Sequence, residues 1–468
     1  MREKHCLNLI LSIAIVITLW NGAPLSQNNT NTGEPQSSQV TLSPEDRILI
    51  LAPHPDDEIL GCAGIIQKAK AMGLPVHIAF LTYGDFNQWS FLLYRKHPVF
   101  MPKAVQSMAL IRHDEAIAAA QYLGVAVNQL TFLGYPDFGV LNIWYRHWQD
   151  SPPYRSILTK ATAVPYENAL RPGAPYKGEE ILKDLKTVLA GFKPTKIFLS
   201  HPGDHNGDHR SLYLLTRVAL WDLEDQINPE LYPYLIHFKK WPNPKKFHPD
   251  LSLQPPPFFQ DQIAWQSNSL TSKELGQKVE ALKKHKSQYK SSPGYLKSFV
   301  RANELFGDFP TVKLRSNTSP AMLSSDTQGY MSEVSEQLTD EEQAAVIGFE
   351  ERSVSLRKDN LVFSIKLSRP LGETVGVSVY IFGYRKDRPF AQMSKIHIKL
   401  GSIRHEIYDQ KHKISPDVIK VTREAKKITL EIPFEILGNP QRILTSTQTY
   451  WGKMPLDWVS WRTLEIEK

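Results

Sequence analysis

Two short stretches concentrate the side chains able to hold a metal ion and move protons. The first is Pro53-His-Pro-Asp-Asp-Glu58. His54 and Asp57, three residues apart in a tight turn, can point at one cation, and Asp56 between them can reach a water held by that cation. Glu58 opens a helix and supports the turn rather than binding metal. The second stretch is His201-Pro-Gly-Asp-His205-Asn-Gly-Asp208-His209-Arg210. Two imidazoles with one carboxylate leave a coordination position open for water, a recognised arrangement of catalytic zinc. The same donors also suit iron(II). The chemistry these residues can do is metal-assisted hydrolysis.

Such clusters act only if the chain brings them together. Residues 47–51 and 75–82 read as strands, with a helix over 58–71 between them. An amphipathic helix over 104–123, a strand near 130–133, a helix over 179–190, a strand at 196–200 and a helix over 210–223 follow. This alternation predicts an α/β, Rossmann-like fold: a mostly parallel sheet with helices on both faces. Each cluster follows a strand and precedes a helix, so both meet at the carboxyl edge of the sheet. Acidic residues there also sit near the positive end of a helix. No glycine-rich dinucleotide fingerprint follows the first strand, which leaves the fold without a nucleotide signature. Two long loops, 83–102 and 134–178, are rich in aromatic residues, among them Trp144, Tyr145, Trp148, Tyr154, Tyr166 and Tyr176. These rings either stack on sugar faces or pack over the sheet edge.

The chain of 468 residues is long enough for two domains. Residues 1–23 have a basic start, Arg2 and Lys4, an apolar run and Ala23, the layout of a secretory signal or an uncleaved anchor. The expected location is therefore exported: periplasmic, cell-surface or extracellular. Residues 24–44 read as a polar tether, 45–310 as the α/β domain with helical spacing returning over 270–305, and 311–345 as a linker. Residues 346–468 read as an all-β accessory domain, a sandwich, with strands over 361–367, 375–382, 397–400, 418–422, 428–432 and 458–465. Only Cys62 remains beyond the signal, so no internal disulfide forms, and its small and apolar flanks predict a buried thiol. The net charge of +7 is spread along the chain without a basic tract, which argues against nucleic acid and leans toward anionic envelope surfaces.

The motifs as an ordered set resemble the zinc-dependent LmbE-like or PIG-L superfamily of N-acetylglucosaminyl deacetylases. The resemblance runs over roughly residues 45–310. It is carried by Ala52-Pro-His-Pro-Asp-Asp-Glu-Ile-Leu-Gly61, Ile111-Arg-His-Asp-Glu115 with Leu123-Gly124, Leu133-Gly-Tyr-Pro-Asp137, Gly207-Asp-His-Arg210, Lys283-Lys-His-Lys-Ser-Gln288 and Arg301-Ala-Asn-Glu-Leu-Phe306. It implies that His54, Asp57 and His209 hold zinc, that Asp56 is the general base, that Asp208 orients a catalytic imidazole, and that Arg112 and Asp137 contact the sugar. His285 also falls in one of these motifs, although a place on a helix face explains it equally well. The late motif departs from the family pattern of His-Pro-Asp-His, because Asn206 stands where relatives carry the assisting histidine. An amide donates a hydrogen bond but is no acid at neutral pH. The proton for the leaving amine then falls to His205 first, with His201 or Asp56 as alternatives, while Asn206 serves as an oxyanion donor. The implied activity is removal of an N-acetyl group from an N-acetylglucosamine-type sugar or envelope glycoconjugate, with no organic cofactor. An O-deacetylase or other glycan amidase, and a noncatalytic glycan-binding protein, are the competing expectations. The terminal β domain is expected to contact envelope or cell wall.

Overall fold

Strand β2 (Ile48–Ala52) is an unbroken apolar run with every residue buried, as a strand covered on both faces requires. In the computed structural model it lies near the middle of an eight-stranded sheet. Residues 38–86, 101–316, 318–324, 346–452 and 454–467 are described; the signal-like segment, Cys6, most of the tether, most of the first long loop and part of the linker lie outside them. The other strands are β1 (Ser38–Gln39), β3 (Val76–Thr82), β4 (Leu130–Tyr135), β5 (Lys196–Ser200), β6 (Glu230–Tyr234), β7 (Gln266–Ser269) and β8 (Asn303–Phe306), in the order β1-β7-β8-β6-β5-β2-β3-β4. All pairings are parallel except those of β8 with β6 and with β7. The chain builds β2, β3 and β4 outward to one side and then returns to place β5 and β6 on the other. The loops after β2 and β5 therefore flank the point where the strand order reverses, where open α/β sheets leave a crevice.

Helices α1 (Asp57–Ala71), α2 (Pro102–Tyr122), α3 (Val140–Arg146), α4 (Gly178–Phe192), α5 (Gly207–Asp222) and α6 (Ser272–Leu282) flank the sheet, α1 and α2 packing with α6 and α4 with α3 through α5. Two shorter helices, α7 (Lys286–Ser291) and α8 (Pro293–Lys297), break the helical run expected over 270–305. Helix α5 starts three residues before the expected position, because Asn206 Oδ1 accepts the Asp208 N–H at 2.8 Å and caps it. Asp208 and His209 thus stand in a rigid first turn instead of a loop. Cys62 is buried in the core of α1. Among the described residues no helix is long and apolar enough to cross a membrane.

The C-terminal part is β-rich, with two sheets. One, of five strands, contains Ala321–Ser324, Phe349–Arg357, Asn360–Leu367, Lys427–Pro433 and Lys420–Arg423. The other, of seven, includes Val375–Tyr384 at its centre, paired with Lys395–Leu400 and Arg442–Trp451, and the last strand, Met454–Ile466. Strands Val312–Leu314 and Ala321–Ser324 enter these sheets from the segment read as a linker. Strand Val375–Tyr384 is buried along its whole length. Val377, Val379 and Ile381 share an apolar cluster with Phe363 and Leu430 of the five-stranded sheet, whereas Tyr380, Phe382 and Tyr384 join the core of the α/β part. This is the period-two alternation of a strand covered on two sides. The second face meets the aromatic loop: Trp144 lies 5.5 Å from Phe390 and 5.2 Å from Phe382 between ring centroids, and Tyr145 stacks on Tyr380 at 4.4 Å. Trp144 and Trp148 are wholly buried there, so packing accounts for them and sugar stacking does not.

Candidate metal centre and pocket

The turn after β2 is held open by its own neighbours. Asp56 takes a φ of 124°, which side chains other than glycine rarely adopt. Its N–H donates to Glu58 Oε2 at 2.9 Å, and Glu58 Oε1 meets His285 Nε2 at 2.8 Å, all within the interior. Glu58 thus supports the turn, and buried His285 anchors Glu58 instead of sitting on a helix surface. Arg112 donates to the Gly84 and Pro55 carbonyls at 2.8 Å each, which pins the same turn from α2. Its Nη2 also lies 3.9 Å from Asp56 Oδ1.

Three donor atoms converge between the two loops. His54 Nδ1 is 3.2 Å from Asp57 Oδ2, His209 Nε2 is 3.1 Å from the same oxygen, and the two imidazole nitrogens are 3.3 Å apart. Ligands bound to a tetrahedral zinc at its usual bond lengths lie roughly 3.3 Å from one another, so the triangle has the edge such an ion requires. These residues fit a divalent metal. The other nitrogen of His54, Nε2, faces Asp137 Oδ1 at 3.1 Å and Asp208 Oδ2 at 3.3 Å. Asp208 also accepts the Phe138 and Val140 N–H groups at 2.5 and 3.1 Å. Carboxylates placed this way orient a ligating imidazole and raise its basicity. The imidazole that Asp208 faces is that of His54. A second group of donors, His54, Asp137 and Asp208, lies on this side. We assign the ion to the first group, because it joins two imidazoles to one carboxylate, the donor set of a catalytic zinc, whereas the second offers a single imidazole and two carboxylates.

His209 is oriented in the same manner by a residue that motif reading passed over. Asp204 Oδ2 lies 3.2 Å from His209 Nδ1 and accepts the Ile236 and His237 N–H groups at 3.0 and 2.9 Å. Burial opposes the charge on every member of the site. It pushes Asp56 up to about 7, against the pull of Arg112. Burial would also raise Asp57, but His209 and His54 hold its carboxyl well below the ordinary range. His209 moves the other way, up to about 9, as Asp204 and Asp57 outweigh its burial. A metal ion must displace such protons to bind.

These groups open onto a cavity of about 430 Å³. Asp56, Arg112, Asp137 and Asn206 line it beside His54 and Asp57. Capping engages Asn206 Oδ1 and leaves its amide nitrogen as the group able to donate into the cavity. Phe86 and Phe138 pair at 4.9 Å on the same wall, and Phe138 is 55% exposed at a φ of 55°.

The other two histidines of the late loop, His201 and His205, sit elsewhere. His205 packs its ring against Phe238 at 4.9 Å and Trp458 at 5.8 Å and is not among the cavity residues; burial pushes it down to about 4. His201 Nδ1 accepts the Gly203 N–H at 2.9 Å among Phe259, Trp265 and Phe309, the loop-fixing role open to it. Besides His54, the imidazole that lines the cavity is His237, whose ring lies 4.8 Å from that of His209 and whose Nδ1 is 3.1 Å from the Tyr295 hydroxyl. Asp204 was visible inside the second cluster as one more acid. His237 had no such signal, since it follows β6 alone and only the sheet brings it to the site.

Residues 49–220 match the protein family described as PIG-L: GlcNAc-PI de-N-acetylase. A probable N-acetyl-alpha-D-glucosaminyl L-malate deacetylase 2 of Bacillus subtilis is 30% identical over 93 residues, which is 20% of this chain and 38% of that protein's length. Among solved structures, the N,N'-diacetylchitobiose deacetylase of Pyrococcus horikoshii is 20% identical with a TM-score of 0.34, covering 56% of this chain and 82% of its own. GalB, the 4-carboxy-2-hydroxymuconate hydratase of Pseudomonas putida, is 17% identical with a TM-score of 0.35, covering 58% and 100%. Structural likeness at this level says nothing about chemistry, which has to be read from the site itself.

Proposed function

On the premise that residues 49–220 place the α/β part of this chain in the PIG-L/LmbE-like superfamily, we propose that the protein is a metal-dependent hydrolase that removes the acetyl group from an N-acetylglucosamine-type sugar or envelope glycoconjugate. The observation that carries this reading is the His54–Asp57–His209 triangle beside a cavity that His54, Asp57 and Asp56 line. When bound, zinc or another divalent ion would supply Lewis-acid polarisation of the amide carbonyl and an acidified water. Asp56 accepts the proton of the attacking water. The Asn206 amide donates to the oxygen that gains negative charge, as oxyanion donors do. Arg112 and Asp137 bracket the reacting end of the sugar, and Phe86 with Phe138 offers an apolar surface to its ring. The leaving nitrogen takes its proton from Asp56 once protonated or from His237 on the cavity wall. The products are acetate and an amino sugar. The signal-like residues 1–23 support an exported enzyme, and the β-rich region then stands near envelope glycans.

The test is acetate release from chitooligosaccharides and isolated envelope glycans, with metal-free and zinc-restored protein. Release that depends on restored zinc is expected. Glycan binding without metal-dependent release would replace the enzyme by a binding protein.

A further inference from the structure

Helix α5 carries Asp208 and His209 in its first turn, and the β-rich region grips it at both ends. At its C-terminal end the Tyr384 ring meets Trp221 at 4.9 Å and the Tyr384 hydroxyl donates to Asp222 Oδ1 at 3.1 Å. Arg442 Nη2 pairs with Glu224 at 2.7 Å just beyond. At its N-terminal end the Arg210 guanidinium lies 4.2 Å above the ring of Trp458, and the His205 ring meets the same indole edge to face at 5.8 Å. Trp458 is 5% exposed and belongs to the last strand of the chain, some 250 residues from the loop it touches. Four residues along that strand, Arg462 sits 3.2 Å over the ring of Phe309, which in turn packs 5.1 Å from His201. One strand of the β-rich region therefore bears on the loop 201–210 at His201 and, directly, at His205 and Arg210.

What lies between those points is the metal half-site. His205 is the next residue after Asp204, whose carboxylate orients His209, and precedes Asn206, which caps α5. Arg210 follows His209 itself. A shift of the loop by a fraction of an ångström at His205 or Arg210 moves the Asp204–His209 pair relative to His54 and Asp57, which belong to a different strand and helix. Contacts of this kind transmit position because a packed aromatic and a guanidinium above it have one close arrangement.

We propose that Trp458 is a positioning residue for the metal centre, so that the β-rich region completes the site instead of only adding a surface to it. This rests on the metal-dependent reading of the α/β part. In the full chain, Trp458→Leu is expected to weaken zinc affinity by about 10-fold, in the range seen when support to a ligand is removed. At saturating zinc it should also lower kcat about 10-fold with KM within about two-fold, and Trp458→Phe should restore most of both. Tyr384→Leu, at the opposite end of α5, is the matched variant. It should lower the melting temperature comparably yet leave zinc affinity and kcat unchanged. If Trp458→Leu does not fold, Arg210→Gln removes the cation at the surface and should weaken zinc affinity by about three-fold. Unchanged zinc affinity in Trp458→Leu, or in Arg210→Gln should that variant alone be soluble, would overturn the proposal, as would equal losses in Tyr384→Leu. Zinc affinity is read without any substrate, so absence of deacetylation would fell the proposed activity and leave this inference to stand or fall by itself.

Discussion

The two loops that meet at the candidate metal centre differ in how much of their geometry is local. The turn after β2 gathers its own chemistry locally: His54, Asp56, Asp57 and Glu58 lie within five residues, and Glu58 satisfies the Asp56 N–H across two of them, with Arg112 and, through Glu58, His285 as its outside braces. The loop after β5 depends on distant chain. Asp204 is tied to Ile236 and His237, His205 rests on Phe238 and Trp458, and Arg210 on Trp458. A local turn keeps its geometry through covalent proximity and a few hydrogen bonds. A loop braced from two distant places, residues 236–238 and Trp458, keeps it only while the whole fold is intact. The first loop should therefore fail by loss of a single side chain, and the second by loss of its supports.

The largest effect is expected at the ligands. His54→Ala, Asp57→Ala or His209→Ala should each abolish stoichiometric metal, measured by elemental analysis of protein purified near neutral pH. Full metal content in His209→Ala would remove the second loop from the first coordination sphere and break the comparison outright. Next is Asp56→Asn, which keeps the shape of the turn and removes the proton acceptor. Turnover should fall by about 10²-fold or more at normal zinc content; wild-type turnover at matched zinc would show that the first loop only binds metal.

Asp204→Asn probes the support of the second loop. One carboxylate oxygen now accepts two N–H groups while facing His209, and an amide cannot reproduce this. Zinc affinity should drop roughly 10-fold with His54 and Asp57 untouched. A zinc titration indistinguishable from wild type would mean that His209 is held by its helix alone. The smallest and most discriminating comparison is between two imidazoles. His237→Gln, on the cavity wall, should lower kcat by about 10-fold, the worth of one hydrogen bond to a charged or developing group. His205→Gln should change it by less than about three-fold, since its ring packs between Phe238 and Trp458. The reverse order in steady-state kinetics would return the leaving-group role to His205.

Much of this protein is written in its local sequence. The alternation of apolar runs and amphipathic stretches sets a mostly parallel sheet from β2 to β5 to within a few residues, because a strand covered on both faces has to be apolar throughout and a flanking helix has to be apolar on one side. The candidate metal donors were equally local: His54, Asp57 and His209 stand just after strands. What escaped was of two kinds. The strand Arg442–Trp451 carries Thr, Ser and Gln at many of its positions, so its polarity conceals burial that only its neighbours provide. Residues such as His237 and Trp458 have no motif around them, and their meaning comes from elements far along the chain. Tertiary structure alone put His237 in the cavity, turned His205 out toward aromatic rings, and set the last strand against α5. Composition and spacing report what a segment can do for itself; they are silent on which distant segment will press against it, because that is decided by the packing of whole sheets and helices.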